Sequence, residues 1–183
     1  MSAPAPHVST YTATRAQYEG SAPISAPGLD ARWPAWAAAT LALASAMVTL
    51  FWTLGGTLLL DTVGGAPEEI ARQHTLGSFA VGMSVVLVKV TAGLLALALR
   101  GRGAKRLRRR WLLIANGTAS AILVLYGAAN ILISGLVLAG AITPAGSVNE
   151  NSLRWHVFFW DPWFLTWGAI LAVAVARYRR RTS

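Results

Sequence analysis

Four long apolar segments dominate the hydropathy pattern of this chain. They cover residues 34–60, 75–99, 111–139 and 158–176 and contain 27, 25, 29 and 19 residues. About 20 apolar residues cross a bilayer as an α-helix, because the hydrocarbon core is ~30 Å thick and each residue rises about 1.5 Å. The pattern therefore predicts an all-α integral membrane protein whose four transmembrane helices lie within residues 33–178.

Proline and glycine mark the ends of these segments. Pro34 opens the first one at a position where its missing N–H costs nothing. Asp161 precedes Pro162 and has a side chain typical of an N-cap, so we expect it to start the fourth helix. Gly55 and Gly56 lie late in the first segment, which is longer than the bilayer requires. We therefore expect the first helix to tilt, bend or unwind near this pair.

Residues 1–32 and 179–183 differ from the segments between them. Residues 1–32 are rich in Ala, Ser, Pro and Thr and show no sustained periodicity. A segment of this composition buries too little surface to offset its chain entropy, which predicts a disordered tail. It lacks the charged start and early apolar run of a signal peptide. Residues 179–183 form a short basic tail.

Basic residues are concentrated on one side of the predicted helices. The chain has 16 Lys and Arg against 7 Asp and Glu, for a net charge of +9. Seven of the basic residues lie in the loop 100–110 and four in the segment 177–181. The positive-inside rule then predicts that this loop and both termini face the cytoplasm, with the protein in the cell membrane. The orientation of the protein in the membrane accounts for its positive charge. No nucleic-acid partner is predicted, because no aromatic stacking platform accompanies the basic loop.

Several kinds of chemistry are excluded or disfavoured by the residue types present. The chain has no cysteine, which removes disulfides, thiolate catalysis and iron–sulfur clusters. His74 and His156 both fall on the predicted outer side, but their spacing matches no known metal-ligand motif. We therefore predict neither a metal site nor a cofactor.

Lys89 is the most informative single residue, because it lies near the middle of the second apolar segment. A lysine at the centre of a membrane helix costs about 2.5–3.5 kcal/mol on insertion scales. Three roles remain open at this point. The side chain reaches the inner headgroups, or it donates a hydrogen bond to another helix, or it takes part in ligand binding or ion movement.

Helical spacing places small and polar residues on one face of each of the first three segments. These faces consist of Ser45, Thr49, Trp52 and Gly56, then His74, Ser78, Gly82, Val85, Lys89 and Gly93, and finally Asn116, Ser120, Leu123, Gly127, Asn130 and Ser134. Such stripes let membrane helices pack closely and form hydrogen bonds between them. The sharper hypothesis is a narrow polar cavity lined by Lys89, Tyr126, Asn130 and Trp52.

Carboxylates at the predicted outer face are the candidates for acid–base chemistry. Asp61 and Glu69 follow the first segment, and Asp161 opens the fourth. Partial burial at the boundary between lipid and water would suit such a group to act as a general acid. The alternative assigns Asp161 to helix capping and the loop carboxylates to solvent.

Two stretches carry a resemblance to a known family. They are TLFWTLGGTLLLDTVGG, which starts at Thr49, and NSLRWHVFFWDPWFLTWG, which starts at Asn151. Both resemble an uncharacterised family of small four-span membrane proteins that is common in actinobacteria and classed as a domain of unknown function. The positions that match are Trp52, Gly55, Gly56, Thr57, Arg154, Trp155, Trp160, Asp161, Trp163 and Gly168. The resemblance implies the fold and no activity; if the two stretches meet, they form one aromatic, glycine-lined pocket.

The leading hypothesis is a non-enzymatic membrane protein that acts as an accessory subunit or binds a lipophilic ligand. Its expected partners are membrane lipids, a lipophilic small molecule, and another membrane protein or a second copy of the chain. The residues predicted to bind the ligand are Trp52, Gly55, Gly56, Lys89, Tyr126, Asn130, Arg154, Trp160 and Trp163.

Two other classes of function stay open. One is a membrane-embedded isomerase or cyclase that acts on a hydrophobic, isoprenoid-like substrate. In it Asp61, Glu69 or Asp161 would donate the proton, and tryptophan rings would stabilise a carbocation. The other is transport or ion conduction past Lys89, which would require an oligomer because four helices enclose only a thin pore.

Overall fold

The computed structural model describes residues 32–101, 106–144 and 149–182. Within these ranges every regular element is helical and no strand is present. The tail predicted over residues 1–32 lies outside the described residues except for its last position. Residues 102–105 of the basic loop and the final residue of the C-terminal tail lie outside them as well.

Six α-helices and two short helical turns make up the described chain. In order they are α1 (Trp33–Thr53), a 3-10 turn (Leu60–Thr62), α2 (Gly65–Arg72), α3 (Leu76–Ala98), α4 (Arg106–Leu138), α5 (Glu150–Trp155), a π-helical turn (His156–Trp160) and α6 (Asp161–Thr182). Four helical segments are long and apolar enough to cross a membrane: Trp33–Thr53, Leu76–Ala98, Arg108–Leu138 and Glu150–Thr182. The predicted all-α class with four such helices is confirmed.

The first helix ends well before the first apolar segment does. After Thr53 the chain forms a Schellman motif, in which Gly55 N–H donates to the Trp52 carbonyl at 3.0 Å and Gly56 N–H to the Phe51 carbonyl at 2.9 Å. Gly55 has φ +97°, a conformation that side chains disfavour. The glycine pair thus terminates the helix, and the remaining residues up to α2 form a loop around the 3-10 turn.

Asp161 does not cap a helix, and the prediction that it does is wrong. It lies inside the continuous helical segment Glu150–Thr182, whose N-cap is Asn149. Pro162 lacks an N–H and would clash with a carbonyl four residues back in a regular α-helix. The π-helical turn relieves this conflict, since the Asp161 N–H bonds to the His156 carbonyl five residues back.

The four long helices pack as two sequence-adjacent pairs. α1 packs along α3 and α4 packs along α6, and the contact between α1 and α6 joins the pairs. One half of this bundle is closely packed around alanines of α1 spaced three and four residues apart. These are Ala35, Ala38, Ala39 and Ala42, all at most 4% exposed. Small side chains let helices approach closely in lipid, so this half has a tight core, completed by Trp167 and Leu171 of α6.

Arginine and tryptophan side chains meet at the closely packed end of the bundle. The Arg100 guanidinium lies over the Trp36 ring at 4.1 Å, and that of Arg177 lies over the Trp33 ring at 5.6 Å. Trp and Arg are the residues that favour a membrane–water boundary. From Ser45 onward, the other half of α1 lines an open cavity instead of a core.

Candidate functional site

A cavity of about 650 Å³ occupies the half of the bundle that contains α2. Its wall is formed by α1, α2 and α3, by Tyr126 of α4, and by the π-helical turn and the start of α6. Most of the wall is apolar or aromatic, with a few polar side chains. Its size and composition are typical of sites that bind small hydrophobic molecules.

Lys89 reaches the cavity from α3 and is hydrogen-bonded to α1. Its Nζ donates to the Thr49 hydroxyl at 2.7 Å and lies 3.4 Å from the Ser45 carbonyl oxygen. The ammonium group also lies 6.0 Å from the centre of the Phe164 ring, within the range of a cation–π contact. Lys89 therefore links two helices and at the same time presents a cation to the cavity.

Two tryptophans bring the motif stretches of the sequence together. The rings of Trp52 and Trp160 meet edge to face with their centres 5.5 Å apart. The Trp52 indole N–H donates to the Leu58 carbonyl at 2.9 Å, and that of Trp160 donates to the Thr62 hydroxyl at 3.2 Å. Both rings line the cavity, and both hold the loop that follows α1. The end of α1 and the π-helical turn thus form one aromatic wall.

His156 is held in place through both of its ring nitrogens. Nε2 lies 2.7 Å from the Val63 carbonyl oxygen and Nδ1 lies 3.3 Å from Asp161 Oδ1. A carbonyl oxygen only accepts hydrogen bonds, so Nε2 must carry a proton. A hydrogen bond between Nδ1 and Oδ1 then requires one further proton, located on either the imidazole or the carboxyl group. In both cases the His156–Asp161 pair is neutral overall.

Asp161 lies behind the cavity wall. Its side chain is fully buried, and its Oδ2 has no hydrogen-bond partner among the described residues. The loop that follows α1 is attached nearby, because the Ser152 hydroxyl donates to the Asp61 carbonyl at 3.0 Å. His156 also anchors this loop to the fourth long helix, because its Nε2 bonds to the Val63 carbonyl of the loop. Its Nδ1 bonds to Asp161, which holds the ring in place.

The short helix α2 covers part of the cavity with its apolar face. The wall includes Ala66, Pro67, Ile70 and Ala71, which recur at the spacing of one helical face. The opposite face is charged, with an ion pair between Glu68 and Arg72 at 2.7 Å. This amphipathic pattern is readable in the sequence and is the signal by which α2 could have been predicted.

The polar stripes of the sequence serve two different purposes. The stripe on α3 lines the cavity with Ser78, Gly82, Val85 and Lys89, and His74, which lies between α2 and α3, continues it. The stripe on α4 instead packs against α6: the Ser120 hydroxyl donates to the Gly168 carbonyl at 2.9 Å. Close packing and cavity lining, which the sequence left as alternatives, both occur, and α3 does both, because Gly93 of its stripe packs against Ala42 and Leu43 of α1.

Of the nine predicted ligand-binding residues, five line the cavity and four do not. The cavity wall contains Trp52, Gly55, Lys89, Tyr126 and Trp160. The other four lie outside it. Asn130 lies one helical turn after Tyr126 on α4, and Arg154 pairs with Glu150 at 2.7 Å. Gly56 packs against Phe51, and the Trp163 ring lies 6.2 Å from that of Phe159.

The three candidate acids, Asp61, Glu69 and Asp161, are likewise outside the cavity wall. The side chains of Asp61 and Glu69 are exposed, whereas Asp161 is buried behind His156. Among the described residues, no three His, Asp or Glu side chains lie close enough together to hold a metal ion. Phe164 also lines the cavity. Phe164 comes four residues after Trp160 and so lies on the same helical face, which is the signal that could have predicted its place in the wall.

Comparison with known proteins identifies the family. The family model described as "Protein of unknown function (DUF3995)" matches residues 27–171. The chain belongs to this family. The resemblance to a domain of unknown function is thereby confirmed, and the match covers every residue that lines the cavity. Comparisons of this DUF3995 chain with curated proteins and with solved structures give no significant match.

Proposed function

We propose that this DUF3995 chain is a multi-pass protein of the cell membrane that binds a lipophilic molecule in the cavity between its helices. The observation that carries the proposal is the cavity itself, about 650 Å³ with a largely apolar and aromatic wall. Binding sites for small molecules combine such walls with a few polar groups that fix orientation. Here those groups are Lys89, Thr49 and Ser78.

The difference in packing between the two halves of the bundle supports the binding of a molecule in the cavity. The half around Ala38 and Ala42 is closed by direct helix contact, with both alanines fully buried. In the other half, Trp52 and Phe79 line the cavity and do not belong to the buried core. An apolar cavity without contents forfeits the dispersion contacts of its lining. A lipophilic ligand would restore those contacts.

Binding is favoured over proton donation by the outer carboxylates. An acid that protonates a hydrophobic substrate has to come within hydrogen-bond reach of it. Asp61 and Glu69 are exposed, and Asp161 is separated from the cavity by the His156 ring. The isomerase or cyclase hypothesis therefore has less geometric support than ligand binding.

The proposed orientation places both termini in the cytoplasm and α2 on the opposite side. Eleven of the 16 basic residues lie in the loop 100–110 and in the segment 177–181. The short α2 loop between α1 and α3 instead carries Asp61, Glu68 and Glu69 against Arg72. The difference in Lys and Arg content between short loops is the signal that sets orientation.

The test is to identify what copurifies with the chain. Full-length protein would be purified in mild detergent, and bound lipophiles would be extracted and quantified by mass spectrometry. Val85→Trp would place a large ring in the cavity, and Val173→Trp is its matched control, since both valines are 41% exposed and Val173 lies outside the cavity wall. We expect a near-stoichiometric lipophile with the parent and Val173→Trp, and its loss with Val85→Trp. Equal amounts in all three would reject the proposal.

A further inference from the structure

The cavity wall has an unbalanced charge. Among the described residues that line it, Lys89 is the one with a formal charge; the wall contains no Asp, Glu or Arg. Asp161 lies behind the wall, where it shares a single proton with His156 and forms a neutral pair with it. Thus neither the wall nor the group behind it supplies the negative charge that would balance Lys89.

The hydrogen bonds of Lys89 satisfy its donors without neutralising its charge. Thr49 Oγ1 and the Ser45 carbonyl are uncharged acceptors, and the Phe164 ring contributes a weak attraction from its face. No ion pair joins Lys89 to a carboxylate in the described part of the chain. A partly buried cation without a counter-charge is costly, and an anion in the cavity would reduce that cost.

The position of Lys89 shows how such a ligand would lie. Lys89 comes 14 residues after Thr75, and both line the cavity, so the wall extends about 21 Å along α3 at 1.5 Å per residue. This length exceeds the roughly 15 Å of one leaflet of the hydrocarbon core. Apolar side chains such as Phe79 and Ile70 line the part toward α2.

We infer that the ligand is a lipophilic anion, with one carboxylate or phosphate group at Lys89 Nζ and an apolar body that extends along α3 toward α2. This inference rests on the proposed binding function and adds the charge and direction of the ligand. A charge-assisted hydrogen bond in a water-poor site is stronger than a neutral one, which gives the site its selectivity. Lys89 is then a ligand-binding residue that also links α1 to α3.

The experiment compares two probes that have the same chain length, one with a charged headgroup and one with a neutral headgroup. Tritiated hexadecanoic acid and hexadecan-1-ol would be titrated against the full-length chain in phosphatidylcholine nanodiscs at neutral pH, at which Lys89 keeps its charge and a carboxyl group bound beside the ammonium ionises. The variants are Lys89→Met, which removes the charge, and Lys89→Arg, which retains it. Arg180→Met is the matched control for a lost cation, because Arg180 is exposed and lies outside the cavity wall. Val85→Trp reports whether the probes occupy the cavity.

The inference predicts that the parent binds the acid about tenfold or more tightly than the alcohol, the difference expected for one charged hydrogen bond. Lys89→Met would lose this preference, whereas Lys89→Arg and Arg180→Met would keep it. Removal of a buried charge does not by itself unfold a bundle, and a matching thermal midpoint would show that Lys89→Met is folded. Equal affinities for acid and alcohol in the parent, or a preference that survives Lys89→Met, would overturn the inference.

The same experiment distinguishes failure of the proposed binding function from failure of the charge inference. If neither probe binds, or if Val85→Trp leaves both affinities unchanged, the cavity is not the binding site and both proposals fall. If Val85→Trp abolishes both and the preference is absent, the cavity binds neutral lipophiles and the charge inference alone falls. Nanodiscs with added phosphatidylglycerol distinguish the source of the anion. Competition by this lipid that depends on Lys89 would identify a lipid phosphate, and its absence would favour the free carboxylate.

Discussion

Trp52 at the end of α1 and Trp160 before α6 meet edge to face, with ring centres 5.5 Å apart and ring planes at 65°. Each indole also donates a hydrogen bond to the loop between α1 and α2. The contact therefore joins the two stretches of sequence that carry the family resemblance. It also fixes one wall of the cavity, because both rings line it.

Trp52 and Trp160 should be energetically coupled. Aromatic pairs in this geometry contribute about 0.5–1.5 kcal/mol beyond the area they bury. A double-mutant cycle with Trp52→Ala and Trp160→Ala, measured by SDS-induced unfolding, should return a coupling energy in that range. Trp111 is 63% exposed, and a cycle of Trp111→Ala with Trp160→Ala is the control, with no coupling expected. Purely additive losses for Trp52 and Trp160 would contradict the contact.

Gly127 should be intolerant of any side chain. A Cβ at this position would lie 2.7 Å from the Leu165 backbone nitrogen and 2.8 Å from the Asp161 carbonyl oxygen. Backbone atoms of a packed helix cannot move aside cheaply, so Gly127→Ala should destabilise the bundle by about 1–3 kcal/mol. The measurement is the free energy of unfolding in SDS.

A second glycine on the same helix is the control for Gly127. Gly135 also lies in α4, but a Cβ there would meet no atom within 4 Å. Gly135→Ala should therefore be neutral or stabilising by up to about 1 kcal/mol, since alanine favours the helix. Equal losses for the two variants would contradict a specific clash of the Gly127 side chain at the α4–α6 contact.

Asp161→Asn should be tolerated where Asp161→Ala is not. An asparagine amide can donate to His156 Nδ1 while Nε2 continues to donate to the Val63 carbonyl. Because the native pair is already neutral, we expect a loss below about 1 kcal/mol for Asn and about 1–3 kcal/mol for Ala. Thermal unfolding of the purified variants measures both.

Asp61→Ala is the matched control for this pair of variants, because the Asp61 side chain is exposed. It should change stability by less than about 0.5 kcal/mol. If Asp161→Asn proves as damaging as Asp161→Ala, the pair requires an ionised carboxylate beside an imidazolium, and the form with a neutral carboxyl group is disproved.

The proposed orientation can be tested without removing any native thiol, because the chain contains no cysteine. Glu69→Cys places a thiol on the exposed face of α2, and Thr182→Cys places one at the end of α6. A membrane-impermeant maleimide should label Glu69→Cys in intact cells and Thr182→Cys only after permeabilisation. The reverse pattern would show that the termini face outward.

Much of the fold follows from local features of the sequence. The four membrane-crossing helices could be predicted because a bilayer demands a fixed apolar length. The end of α1 near Gly55 was also predictable, since a glycine pair late in an overlong segment favours a break there. The role of Asp161 was mistaken because Asp before Pro resembles a helix start. The chain instead continues the helix through a π-helical turn, which depends on packing around the turn.

The site shows the same division. The sequence by itself determined the number of membrane helices, the face of α3 that carries Lys89, and the aromatic motifs. These depend on hydropathy and on a fixed helical period, both of which are local properties of the chain. The tertiary structure alone decided that Trp52 meets Trp160, that Thr49 receives the Lys89 hydrogen bond, and that Asp161 lies behind His156. Such pairings depend on how separate helices pack, and no periodicity within one helix encodes its neighbour.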